Sequence, residues 1–181
     1  FATYLRIIYL PKLILVDRQA HAESSYHLAE ELYVKYNVGK IRLKFSLSRA
    51  TSNSLEQVPG ADSVNSEDVV LGLYEGFKKF QEQHPDFDFV LSPSFRKESS
   101  QFDSSKYATR KQHFEAQVDE IVYLTEKYPF LAKYMTDVDT VGNENELYRK
   151  EHFNEFQKGF RKLQYRGFKI RSHHGETFYT L

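Results

Sequence analysis

Four short extended segments, each preceded by a helical stretch, predict an α/β fold with about four parallel strands. Two observations carry this. Apolar residues recur at helical spacing in four places, and the extended candidates between them, Lys40 to Leu47, Phe87 to Pro93, Lys133 to Asp139 and Phe168 to His173, each follow a helix and precede a polar loop. The strand starts lie 47, 46 and 35 residues apart. That is long for a minimal βα unit, so the loops after the strands are expected to be elaborated. In sheets of this kind ligands gather at the carboxyl ends of the strands, and chemistry is to be sought there.

The first helical stripe is Ala22, Tyr26, Ala29 and Tyr33, with Asn37-Val38-Gly39 as its stop. The second follows Ser66, which reads as an N-cap, with Glu67 and Asp68 in a first turn where the helix dipole favours acids. Val69 or Val70, Leu73, Phe77 and Phe80 then mark one face. Phe114, Val118, Ile121 or Val122 and Thr125 form a third stripe, closed by Pro129. Phe153, Phe156, Phe160 and Leu163 form the fourth, ending at Gly167 as a C′ residue. The polar run from Arg49 to Asn65 reads as one long loop, and no internal repeat is evident.

Composition excludes several classes. The chain has 181 residues, 40% hydrophobic and 15% aromatic, and its 25 basic residues balance its 25 acidic ones. This is a globular composition, and the expectation is one domain over residues 1–181. Zero net charge removes the general motive for binding polyanions. Without cysteine there can be no disulfide, Cys-zinc site or Cys nucleophile, so any metal must be held by His, Asp or Glu. The apolar stretch Leu5 to Val16 is too short for a membrane span and is broken by Arg6, Pro11 and Lys12. It also lacks signal-peptide features, so no membrane partner is expected. The chain opens on Phe1 without an initiator Met and stops at Leu181, directly after its most unusual segment, so both ends read as cut.

That segment is Phe168-Lys169-Ile170-Arg171-Ser172-His173-His174-Gly175-Glu176. It runs a strand into two histidines, a glycine and a glutamate. Adjacent strand residues point to opposite faces, so only one of the two histidines can face a central cavity. An imidazole there is a good zinc ligand, and a glutamate three residues on can act as acid or base beside it. A plain strand-end histidine with a surface glutamate is the alternative. A second candidate is Asp137-Val138-Asp139-Thr140-Val141-Gly142-Asn143-Glu144, where a glycine at a strand end lets backbone approach a ligand. Its alternative is an ordinary βα turn with an Asp N-cap. Arg96, also at a strand end, is expected to pair with Glu144 or Glu176, or to bind an anion.

Together these residues resemble the adenosine deaminase family. Asp139-Thr140-Val141-Gly142 is similar to that family's Asp-Leu-Ala-Gly, and His173-His174-Gly175-Glu176 to its His-Ala-Gly-Glu, with Arg96 on an earlier strand. The resemblance implies a partial (β/α)8 TIM-type barrel, roughly the second to fifth strands. It implies that His173 is a ligand of a catalytic zinc, that Glu176 shares a proton with purine N1, and that the Gly142 N–H meets purine N3. The implied reaction is the hydrolysis of adenosine to inosine and ammonia, with AMP deaminase as a cousin. The family's His-x-His pair has no counterpart among the histidines at 21, 27, 84, 113, 152, 173 and 174. The chain therefore reads as the middle of a longer enzyme, inactive alone. A partial barrel has open sheet edges, and self-association through them is expected. The secreted branch of the family usually carries disulfides, so the lack of cysteine favours the cytoplasm.

Two other readings stand beside this one. The segment from Arg149 to Arg171 holds eight basic residues with Phe and Tyr interleaved, a pattern that can serve nucleic acid. Its aromatics keep helical spacing, so they read as core and the charges as a solvated face; no nucleic-acid partner is expected. The other alternative is a non-catalytic α/β module, or a degenerate barrel subunit completed by a partner.

Overall fold

The computed structural model describes residues 14–47, 64–97, 104, 106–142 and 150–173. In chain order these form α1 (Arg18–Tyr36), β1 (Lys40–Phe45), α2 (Ser66–Gln83), β2 (Asp88–Arg96), α3 (Arg110–Lys127), a single turn α4 (Leu131–Tyr134), β3 (Asp137–Val141), α5 (Lys150–Tyr165) and β4 (Lys169–Ile170). The sheet has the order β1-β2-β3-β4. The β2–β3 and β3–β4 pairs are parallel, in registers Ser94↔Asp139 and Asp137↔Lys169. The architecture is α/β with a parallel sheet and alternating helices, as expected, and it is consistent with a partial (β/α) barrel. Among the described residues no helix is long and apolar enough to cross a membrane.

The described residues fall into two compact units. The first holds α1, the start of β1, α2 and the start of β2. Its α2 follows the expected stripe, burying Val69, Val70, Leu73, Phe77 and Phe80. The cap is displaced by one residue. Asn65, not Ser66, accepts the Asp68 N–H at 2.8 Å, because its side chain reaches the third helical N–H. α1 departs further from the expected face. Its buried line is His21, Ser25 and Ala29, while Ala22, Tyr26 and Tyr33 are half-exposed. The cause lies in α2: a Cβ built on Gly72 would stand 2.8 Å from the His21 Cβ, and one on Gly76 would overlap the Ala22 carbonyl and Ser25 Oγ. The two helices meet backbone to backbone, so small residues line the contact. α1 ends at Asn37 in the left-handed region, φ 54°.

The second unit holds the rest of β1 from Leu43, β2 from Val90 and all later elements. Phe95 of β2 meets Phe114 of α3 and Phe160 of α5 edge-on, at 5.1 and 5.6 Å between ring centres. That is the helix-covered face of the sheet. α5 closes as expected at Gly167, φ 89°. The Phe168 N–H bonds to Leu163 O at 3.1 Å and the Gly167 N–H to Gln164 O at 2.9 Å, a Schellman turn.

Strand bounds differ from expectation, most of all in β2, β3 and β4. Lys133 lies in α4, because Leu131, Tyr134 and Met135 bury themselves in one more helical turn before β3 starts at Asp137. β2 runs through Pro93 to Arg96: proline removes one N–H only, and the register with β3 is formed beyond it, from Ser94. β4 is regular only to Ile170, yet its N–H groups continue the ladder. Lys169, Arg171 and His173 donate in turn to Thr136, Val138 and Thr140 at 3.0, 2.8 and 2.9 Å.

Candidate functional site

The face of the sheet opposite Phe95 is polar. Alternation places Ser92 and Ser94 of β2 with Asp137 and Asp139 of β3 and with Arg171 and His173 at the end of β4. On the helix side the same register puts the Thr140 and Ser172 hydroxyls 2.7 Å apart. Asp137 and Asp139 are fully buried in the inner strand. Their counter-charges come from two other strands: Arg171 Nε, just past the neighbouring β4, donates to Asp137 Oδ2 at 2.9 Å, and Lys44 Nζ of β1, two strands away, lies 2.6 Å from Asp139 Oδ2. Burying a carboxylate is costly unless a cation or donors balance it, and these pairs supply the balance.

His173 Nδ1 reaches the same Asp139 oxygen at 2.8 Å. Neither contact has hydrogen-bond angles, and both Oδ2 and Nδ1 are buried without a hydrogen-bond partner. Asp139 Oδ1, by contrast, accepts the Thr140 N–H at 2.8 Å. The His173 side chain keeps 40% of its surface exposed although Nδ1 is covered, so its accessible part lies elsewhere on the ring. Its carbonyl accepts from Lys97 Nζ at 2.6 Å.

The residues named from sequence are placed as follows. His173 stands at the carboxyl end of β4, in the polar cluster. Gly142 directly follows β3 with φ 96°, a left-handed conformation that explains glycine at that turn. Glu176, His174, Gly175 and the acid Glu144 lie outside the described residues. Arg96 ends β2 on the polar side, opposite Val141. Sequence reasoning missed Lys44 and Lys97, and it placed Asp139 in the motif before Gly142 without assigning it a role. The alternation of Lys40, Arg42 and Lys44 along β1 marked a charged side of that strand but not the partner of Lys44, since Asp139 lies two strands away.

The fit to zinc can be tested on the orphaned atoms. A metal-binding imidazole characteristically turns one nitrogen to a carboxylate and offers the other to the ion. His173, with Nδ1 beside Asp139, fits one corner of such a shell. Lys44 already places a positive charge on Asp139 Oδ2, which suits this carboxylate to orienting the imidazole rather than binding the ion itself. Among the described residues no three His, Asp or Glu side chains converge as a full ligand set.

No protein-family model matches the chain. No curated protein matches its sequence. Solved structures do match, among them the adenine deaminase from Arthrobacter aurescens, with a TM-score of 0.65 over 98% of this chain at 13% identity. The likeness is one of fold. This chain spans 44% of that deaminase's length. The strand-end cluster of Asp139, Gly142 and His173 thus stands on a sheet whose fold a deaminase shares.

Proposed function

We propose that this chain forms part of a zinc-dependent hydrolase that deaminates a purine, with adenosine converted to inosine and ammonia. The observation that supports it is the His173–Asp139 contact at the carboxyl edge of a deaminase-like sheet, beside the left-handed Gly142 turn. Zinc, when bound, would acidify a water for attack at C6 of the ring. His173 would be one of its ligands, oriented by Asp139. Glu176 would carry a proton to N1, which requires a carboxyl kept neutral near pH 7 in a closed pocket. The Gly142 N–H would meet N3 and set the ring's register. The solved neighbour is named for adenine, so the shared element is the six-membered ring with its amino group, not the sugar. The test is ammonia release from adenosine, adenine and AMP by the zinc-loaded protein in its full natural length. Turnover of adenosine supports the reading, faster turnover of adenine moves the substrate from nucleoside to base, and no turnover of any of the three sinks it.

A further inference from the structure

We infer that Lys97 is a positioning residue for His173, a buried ammonium that clamps the end of β4 to the end of β2. Lys97 is 1% exposed and follows β2 directly. Its own N–H donates to Val141 O at 2.8 Å, so its backbone is fixed to the end of β3. Its Nζ passes beyond that strand and donates to the His173 carbonyl at 2.6 Å. β2 and β4 are not neighbours in the sheet, so no backbone ladder can join them. The lysine makes that join, and it does so at the residue that carries the imidazole.

His173 is thereby held at three points. Its N–H is on Thr140 O, its carbonyl on Lys97 Nζ, and its Nδ1 lies against Asp139. A lysine is a poor choice for stability at such a place. A methionine would fill most of the same volume without the cost of taking an ammonium out of water. What methionine lacks is a charged donor for the carbonyl, and charge-assisted hydrogen bonds are the stronger ones. The chain carries the costly group where a loose strand end would let the imidazole wander.

This inference deepens the proposed function and rests on it only for the part His173 plays with zinc. The clamp itself is measured without metal, by amide hydrogen exchange of the full 181-residue chain. In Lys97→Met the His173 amide is expected to lose protection by about tenfold or more, the worth of one hydrogen bond to a charged group. The Arg171 amide, one step back along the ladder, should keep its protection, and the melting temperature should not fall. Lys97→Arg, which retains a cation and donors, should restore the His173 value. Unchanged protection at His173, or equal loss at Arg171 and His173, overturns the clamp. Should Lys97→Met not fold, the wild type decides: a slowly exchanging Lys97 ammonium coupled to the His173 carbonyl carbon supports the inference, and its absence overturns it. Titration of the protein in its full natural length with zinc alone separates the two readings. Binding about tenfold weaker in Lys97→Met supports both. A wild type that takes up no zinc removes the metal role of His173, while the exchange data still decide the clamp.

Discussion

Lys44 Nζ lies 2.6 Å from Asp139 Oδ2, and the two ends of this pair have unlike surroundings. The lysine is 38% exposed and the aspartate not at all. Removing the lysine strands a charge inside, whereas removing the aspartate's charge leaves a lysine that can turn to water. Lys44→Met should therefore cost about 2–4 kcal/mol and Asp139→Asn distinctly less, read from urea unfolding of both variants. Equal costs, or the reverse order, would show that His173 alone balances Asp139.

The α1–α2 contact makes a second prediction. Gly76→Ala drives a methyl into the Ala22 carbonyl and Ser25 Oγ, both held by helix backbone, and should cost about 2–4 kcal/mol or part the helices. At Gly167 an added Cβ meets nothing within 4 Å, so Gly167→Ala should cost only the left-handed strain, about 1 kcal/mol. Thermal unfolding of the two variants ranks them.

Tyr33 supplies a pH dependence. Its hydroxyl donates to Asp86 Oδ2 at 2.8 Å, and this bond, with lesser help from burial and from the aspartate's charge, raises the phenol above its ordinary value of 10.0. A raised value favours the protonated phenol in the fold. The stabilisation is thus complete below the unfolded value and lost as pH climbs through the folded one. Tyr33→Phe should flatten the decline in stability above about pH 10, measured as urea midpoints at stepped pH. An unchanged alkaline limb would assign the decline to other groups.

The proposed chemistry separates three residues that lie close together in sequence. In the zinc-loaded full-length protein, His173→Ala should lose the metal, as dialysis followed by metal analysis would show. Glu176→Gln should keep the metal yet lose about a hundred- to ten-thousandfold in turnover, because a proton donor is removed and a ligand is not. His174→Ala should be close to neutral. Loss of metal in His174→Ala instead would place the imidazole one residue on, against the contact with Asp139.

Large apolar side chains at regular spacing were legible in the sequence. Phe77 and Phe80 on α2, and Phe114, Phe156 and Phe160 around Phe95, follow from periodicity alone, as does the Gly167 stop. The α1 face was not legible, because its burial depends on two glycines some 50 residues later and selects small residues over aromatic ones. In the cluster, the strand-end histidine and glycine could be read from their place in the chain. The Lys44 and Lys97 contacts could not, since each joins strands far apart in sequence and becomes visible only once the register is known.

The Schellman turn at Gly167 acts as a counter. From the last turn of α5 to the Asp139 contact the chain has a set number of steps, Phe168 to His173, and each step reverses the side of the sheet on which a side chain emerges. One residue inserted after Gly167 would deliver Ser172 to the carboxylate and turn the imidazole toward the aromatic core, with no contact in α5 altered. Reading frame, more than residue identity, is what this stretch has to preserve: a deletion and an insertion that compensate within it should be tolerated better than either alone.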